Sequence, residues 1–359
     1  MDLSLTWEQQ QLKGTLDRLA AAHKGDWRAL WKQLAELGVT GLMLPADVGG
    51  AGGGGTEAMA AMQALGKGNA AVPYIDCAVL GAGLLDACGL PEQRTTHLPS
   101  VAAGEKLIAF AHSERETRFD PARIATRAER KGAAYVLDGH KDVTMWGDAA
   151  DLLIVSARTG EDTGLFLVDP KAPGVRLRGY PTVDGHRAAE IALSGVMAER
   201  LPGGSQAAID LALDRAAAAS VAEASGAMQA LYDMTLAYAK QRRQFGQVIG
   251  SFQAVQHKLV DMFMAVETAG SMASLAAIAV DGDDEAARAR DVSAAKAHIG
   301  RAGRAVAQQA VQLHGAIAMT AEYPAGRYFK RLTALELLYG DMDWHHKRFA
   351  ALDGIGDER

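Results

Sequence analysis

Apolar residues recur along this chain with two different periods. After Thr6, Leu12, Leu16 and Leu19 return at helical spacing, and Trp31, Leu34 and Leu37 do so on a second stretch. Thr6-Trp7-Glu8-Gln9 predicts a capping box, in which a hydroxyl covers early amide donors while Gln9 reaches back. The second stretch is expected to stop at Gly38, a natural left-handed C-cap. Six glycines fill seven positions from Gly49 to Gly55, which excludes a helix interior. That segment reads first as a flexible surface loop, with a functional loop as the alternative. Helical texture resumes from about Glu57 to Leu65 and from Ala78 to Cys88. The period then shortens. Leu107–Phe110, Tyr135–Leu137, Leu152–Ser156, Leu165–Val168, Val175–Leu177 and Glu190–Leu193 are short runs separated by turn signals. They predict a β domain, a small barrel or sandwich. From Ser205 the helical period returns, with a long helix over Asp291–Leu313 and a last one through Leu332–Tyr339. The expected class is α+β: an N-terminal helical domain (1–105), a middle β domain (106–202) and a C-terminal helical bundle (203–359).

Composition narrows the function. With 49% apolar and 22% charged residues, the chain is too apolar and too balanced for disorder. A net charge of −6 and a pI near 5.9 argue against a broad basic face for nucleic acid. No uninterrupted apolar run of about 18 residues occurs, so no membrane span is expected. The opening residues lack the basic and apolar regions of a signal peptide. Cys77 and Cys88 can form neither a disulfide framework nor a CxxC metal site, which fits a reducing, cytoplasmic setting. Neither a GxGxxG after a strand nor a GxxxxGKS/T occurs.

The most informative stretch runs from Gln241 to Met262: a basic helix end, a Gly turn, then a new helix start. Arg242 is a fixed cation with forked donors, suited to a pyrophosphate. Its ordinary role at a helix C-terminus is as a dipole partner. As a pattern, R-x-x-F-G-x-x-I-x-x-F-Q-x-x-x-x-x-L-x-D-M resembles a signature of the acyl-CoA dehydrogenase superfamily. Gln312 to Pro324, with Arg327 and Lys330-Arg331, is similar to the family turn Q-x-x-G-G-x-G-x-T-x-E-x-P. Further likeness lies in Ser4-Leu5-Thr6 with Glu8-Gln9, in Trp31 to Gly38, and in Leu44-Pro45 with Gly49-Gly50. Lys141 to Arg158 and Asp184, Arg187 and Ala188 resemble the family's β-domain stretches.

The resemblance implies the three-part fold read above, bound FAD and an acyl-CoA thioester substrate. It also implies an electron-transfer flavoprotein as the electron acceptor. In such enzymes a carboxylate removes the α proton while the β hydrogen leaves as hydride. An α-thioester proton is weakly acidic, so the carbonyl must also be polarised. By resemblance, Arg242 reaches the FAD pyrophosphate across a subunit interface, and Phe245 packs near the adenine. Gln312 and Gly315 belong to the dinucleotide turn. His112-Ser113-Glu114 stand where the family has Thr-Glu-Pro-x-x-Gly-Ser-Asp, whose Gly-Ser-Asp is replaced by Arg118-Phe119-Asp120 and neighbours. Ser113 and Thr144 are candidates for the isoalloxazine edge, or else ordinary β-loop residues.

Other departures concern the turn and the base. Ala316 and Ala318 replace the turn's second and third glycines, so each Cβ is expected to crowd the cofactor or forbid a positive φ. The family's two base positions fall at Tyr339 and Ala216, and neither can act as a carboxylate. Asp341, Asp343, Asp214 and Glu223 are the substitutes nearby, with surface or capping roles as the alternative. His345-His346 do not share a helix face, so no metal site is expected. The Gln312–Arg331 run and Leu338-Tyr339-Gly340-Asp341 with His345 to Arg348 resemble a subgroup of short acyl-CoA dehydrogenases. That group is associated with actinobacterial and proteobacterial catabolism of steroid side chains. Its α2β2 heterotetramers take the base from one subunit type, with FAD at the shared interface. The resemblance thus implies the subunit without the base, paired with a homologous second subunit. A homotetramer with a relocated Asp base and a cofactor-free structural homologue are the alternatives.

Overall fold

The structure, a computed structural model, describes residues 5–353 except Lys24 and Ala133. Ser4 of the N-terminal motif lies outside the described residues. Helices open the chain: α1 (Trp7–Ala22), α2 (Trp27–Glu36), α3 (Gly55–Lys67), α4 (Ala82–Cys88) and α5 (Pro91–Ala102). Seven strands follow: β1 (Ile108–Ala111), β2 (Arg127–Lys131), β3 (Ala134–Met145), β4 (Leu152–Thr159), β5 (Asp162–Val168), β6 (Val175–Pro181) and β7 (Arg187–Leu201). Next come α6 (Gln206–Gln241), a short hairpin of β8 (Arg243–Gln244) and β9 (Gln247–Val248), and α7 (Gln253–Ala279). The chain ends with α8 (Glu285–His314), α9 (Ala325–Leu337) and α10 (Met342–Leu352). The order is helical, β, helical.

Local chemistry fixes the ends. The Thr6 hydroxyl accepts from the Gln9 amide at 3.3 Å, and Gln9 Oε1 accepts from the Thr6 amide at 2.8 Å. Gly38 takes φ +73° just past α2, as a left-handed stop requires. The glycine run is ordered. Amides of Gly50, Ala51, Gly52 and Gly53 donate to the carbonyls of Pro45, Gly41, Leu44 and Leu42. Glycine serves there for close approach, since a Cβ on Gly50 would collide with the Leu44 carbonyl. Tyr74–Gly81 is a buried π-helical segment leading into α4, where the sequence predicts plain helix from Ala78. The last predicted helix ends two residues earlier than expected and is not the last. α9 stops at Leu337, Tyr339 and Gly340 form a turn at φ +60° and +100°, and α10 follows.

Packing groups these elements into two compact units. One comprises Asp26–Gly54 and Ala71–Ala216. In it, β4, β5, β7, β3 and β2 pair in sequence, and β2 returns to β4 at Arg127–Arg158, closing a barrel. Parallel to β4 runs β1, and β6 lies along β7. Leu137, Leu153, Val155, Phe166, Ile191 and Val196 fill the interior. Apolar patterning could not reveal β2, because Arg-Ala-Glu-Arg-Lys buries only Ala128.

Among the barrel's apolar side chains lies a charged network. Lys141, wholly buried, donates to Glu114 Oε1 at 2.6 Å, Ser156 Oγ at 3.1 Å and the His112 carbonyl at 3.3 Å. Glu114 also accepts from the Thr126 hydroxyl and from the Ala125 and Thr126 amides. Burial raises its pKa, and Lys141 and these donors outweigh that, leaving it below the usual carboxylate range. Burial drops Lys141 to about 8 despite Glu114. Burial, with the Lys141 charge second, drops His112 to about 3. His112 is therefore neutral, and its Nδ1 accepts from Ser156 Oγ at 2.9 Å.

The other unit comprises Met1–Gly25, Gly55–Ala70 and Ala217–Arg359. It is helical, with α8 packed on α7, α9 and α10, and α3 on α1 and α7. Small buried residues line α8, among them Ala295, Gly300, Gly303, Ala307 and Ala310. The closest approach is reciprocal. A Cβ on Gly66 of α3 would strike the Glu223 carbonyl of α6, and one on Gly226 of α6 would strike the Gln63 carbonyl of α3. Of the described helices, α7 alone is long and apolar enough to cross a membrane. Its Leu259, Met262, Val266, Ala269, Ala273 and Ala276 row is buried in the bundle.

Gly66→Ala and Gly226→Ala should each destabilise the protein by about 1–3 kcal/mol, because the methyl group forces the backbones apart. Gly270→Ala on α7, with open space at its Cβ, should instead stabilise by roughly 0.5–1 kcal/mol. Chemical denaturation of the three variants checks both signs. A second expectation concerns acid. Below its unfolded value near 6.5, His112 takes up a proton only on unfolding, so stability falls as pH drops from there towards about 3. By pH 5 the loss is about 2 kcal/mol. His112→Gln should remove that part of the slope between pH 7 and 5 in urea titrations.

Candidate functional site

The bundle unit gathers the cofactor candidates of the C-terminal half. Arg242 directly follows α6, its amide donating to the Tyr238 carbonyl at 2.8 Å. Its guanidinium is exposed and has no hydrogen bond or ion pair among the described residues. Phe245 and Gly246 form the two-residue turn of the β8–β9 hairpin at φ +52° and +83°. Such a primed turn suits the twist of a hairpin but strains a phenylalanine. Phe245 is 89% exposed.

Gln312, on the last turn of α8, is exposed, and Gly315 ends that helix at φ +68° with free space around it. Three rings bring this turn beside the end of α6. His314 lies 4.5 Å from Tyr238 and 5.0 Å from Tyr323 between ring centroids. The Tyr238 hydroxyl donates to the His314 carbonyl at 3.4 Å, and His314 Nδ1 donates to the Ala310 carbonyl at 2.8 Å. Sequence reasoning missed this aromatic knot. Its one signal was Tyr238, a helical turn before Arg242.

Ala316 and Ala318 depart from expectation. Both sit in the 3-10 turn Gly315–Met319 without positive φ, so the backbone there does not require glycine. Ala318 is fully buried, so its methyl group does not face solvent, whereas Ala316 is exposed.

Tyr339 and its surroundings form a second assembly in this unit. Lys296 of α8 is buried and donates to the carbonyls of Leu335 at 2.8 Å, Glu336 at 3.1 Å and Gly340 at 3.0 Å. Burial lowers it to about 7, against the pull of Glu336 and Asp341. The Glu336 carboxylate pairs with Arg304. His345, lowered to about 3 by burial and by Lys296, is neutral and donates from Nε2 to the Tyr339 carbonyl at 3.0 Å. Its Nδ1 accepts from Ser293 Oγ at 3.2 Å. Asp341 caps α10, accepting from the Trp344 amide at 2.8 Å, and Asp343 lies exposed in the first turn. Glu223 forms a buried bidentate pair with Arg331, at 2.6 and 2.7 Å, rather than a surface or capping contact. His345 is buried and His346 exposed, and no metal-binding group occurs among the described residues.

In the barrel unit, Ser113 is half-buried and its carbonyl accepts from the Asp142 amide, which sets it beside β3. Two residues on, Thr144 is sealed from solvent, and its hydroxyl has no partner among the described residues. Its neighbour Val143 is 45% exposed. Arg118 takes φ +46° in the turn replacing Gly-Ser-Asp. Asp214 and Ala216 on α6 are both buried.

A free guanidinium, an exposed ring on a strained turn, an exposed amide and an open glycine turn suit a large anionic cofactor with an aromatic end. Arg242 and Gln312 could hold its phosphates and Phe245 its ring, and the residues present fit FAD.

Comparisons with known proteins cover nearly the whole chain. Family models for the acyl-CoA dehydrogenase N-terminal, middle and C-terminal domains match residues 7–105, 109–196 and 203–351. The acyl-CoA dehydrogenase FadE27 of Mycobacterium tuberculosis is 30% identical over 95% of either chain. The Tcur3481-Tcur3483 steroid ACAD superposes with a TM-score of 0.88 at 28% identity, over 98% of this chain and 99% of that one. A glutaryl-CoA dehydrogenase from Mycobacterium smegmatis gives 0.91 at 28% identity, over 99% and 97%. The ChsE4-ChsE5 complex of Mycobacterium tuberculosis gives 0.88 at 27% identity, over 99% of each chain. Helical, barrel and bundle regions in this order, and likeness along the full length, make this chain a member of the acyl-CoA dehydrogenase family of FAD-dependent enzymes.

Proposed function

We propose that this chain is the subunit of a heteromeric acyl-CoA dehydrogenase that lacks the α-proton base, acting on a bulky, steroid-derived CoA thioester. One observation carries the reading: no carboxylate stands ready at either base position. Ala216 is a buried methyl group, and Tyr339 carries a phenol rather than a carboxylate. Asp341 is spent on a cap and Glu223 on Arg331. Asp343 points from an exposed first turn. A homologous partner subunit supplies the missing base.

The exposed apolar surface supports a partner. Val260, Phe263 and Met264 on α7 are 54%, 46% and 53% exposed, and Phe245 stands out further. Patches of this kind on a folded chain mark contact surfaces. The steroid ACAD and the ChsE4-ChsE5 complex support the bulky substrate and the mixed assembly. Hydride acceptance, with onward transfer of the electrons to an electron-transfer flavoprotein, is the chemistry that bound FAD would supply. This chain's own residues bind and orient. Arg242 would neutralise phosphate charge, Gln312 and the Gly315 turn would offer hydrogen bonds, and Phe245 would cover a flat ring. The two buried free thiols, Cys77 and Cys88, suit work in the cytoplasm.

Co-expression with a homologous subunit bearing the glutamate should yield a yellow heteromer that oxidises acyl-CoA, with this chain inactive alone. Within that heteromer, Arg242→Gln should weaken FAD retention about tenfold or more, measured by equilibrium dialysis. Full-rate oxidation by the isolated chain would overturn the proposal.

A further inference from the structure

We infer that Tyr238 and His314 are positioning residues for FAD binding. With Tyr323 they form a brace that sets the spacing between two contact elements, the Arg242 turn and the Gln312–Gly315 turn. This rests on the reading above that gives FAD to those elements, and neither brace residue need touch the cofactor.

The two elements belong to different helices, and Tyr238 and His314 stand 76 residues apart in the chain. Each element is also a helix end, where backbone groups lack intrahelical partners and the last turn frays. Arg242 and Gln312 are exposed there. A cofactor gripped by both needs them at a fixed separation, since a donor displaced by about 1 Å no longer makes its hydrogen bond.

Tyr238 joins the two ends. Its carbonyl accepts from the Arg242 amide at 2.8 Å, so its ring leaves α6 one turn before the cation. Its hydroxyl donates to the His314 carbonyl at 3.4 Å, on the peptide that leads into Gly315. The Tyr238 and His314 rings lie 4.5 Å apart with their planes at 33°. His314 is fixed in turn along α8, its Nδ1 donating to the Ala310 carbonyl at 2.8 Å. Tyr323 closes the triangle at 5.0 Å from His314 and 6.4 Å from Tyr238. The 3-10 turn Gly315–Met319 is thereby held on both sides, by His314 before it and Tyr323 after it.

Rings suit this task, because they are stiff and their stacked faces resist sliding. The imidazole is held to one orientation. Burial lowers its pKa and keeps it neutral, with its proton on Nδ1. Nε2 is then a bare acceptor, sealed from solvent and without a partner among the described residues. A buried acceptor left unmade is a cost. The Nδ1 bond it accompanies fixes the ring plane against both tyrosines.

The test measures FAD dissociation by equilibrium dialysis, and the melting temperature, on the full chain assembled with its partner subunit. Tyr238→Leu should weaken FAD binding about fivefold. His314→Gln, which removes only the middle ring, should do the same and serves if Tyr238→Leu does not fold. Gly66→Ala, which loosens the bundle at α3, should lower the melting temperature yet keep FAD within about twofold. On an Arg242→Gln background, Tyr238→Leu should add less than about twofold, because it acts through that side chain's placement. Ring variants that weaken FAD by less than about threefold overturn the inference, as does a Gly66→Ala protein that loses FAD as far as they do. An Arg242→Gln protein that keeps its FAD unchanged overturns instead the reading that puts the cofactor there, a separate result.

Discussion

Backbone-to-backbone contact between helices is the constraint on which the bundle depends. Where Gly66 meets the Glu223 carbonyl and Gly226 meets that of Gln63, no side chain separates α3 from α6. Attraction at such range is dispersion over many small atoms, which demands a fit within fractions of an ångström. A polar group beside this contact cannot reach water, so it must find a partner inside. Glu223 does so with Arg331 of α9. The ion pair is thus a consequence of close packing as much as a cause. The fixed course of α6 then carries Tyr238 to His314 and leaves Arg242 at its end, facing outward.

The two buried lysines show different answers to one problem. Lys141 has a counter-ion, Glu114, and the pair is completed by hydroxyls and amides. Lys296 relies on aligned carbonyl dipoles at a helix end, where negative partial charge already accumulates. The first arrangement braces a barrel. The second draws a helix terminus and its following turn into one geometry.

Local rules were legible in the sequence, and tertiary ones were not. Thr6 and Gln9 cap α1 within hydrogen-bond reach of each other, so four residues sufficed. Gly38 likewise announced its own left-handed turn. The strand β2 escaped because its residues are charged and its pairing with β3 lies in another segment. Glycines 49 to 55 suggested looseness, yet their backbone is tied down by neighbours contributed from residues 41 to 45. At the site, Arg242, Phe245, Gln312 and Gly315 could be picked out from motif spacing. Lys296 and His345 could not, because nothing in a Lys or His codes for three carbonyls or a serine brought together by folding. At 316 and 318 only the φ part of the expectation failed, because a glycine pattern does not say which φ this backbone adopts.

The exposed face of α7 also bears on the chain's life in the cell. Val260, Phe263 and Met264, with Phe245 nearby in sequence, make an unassembled copy adhesive. Chaperones recognise such surfaces, and proteases remove chains that linger on them. Under the assembly proposed above, copies made in excess of the partner would keep that face wet and be the ones removed. Abundance would then be set by the scarcer subunit, and balanced stoichiometry would follow from the wetting of a few side chains.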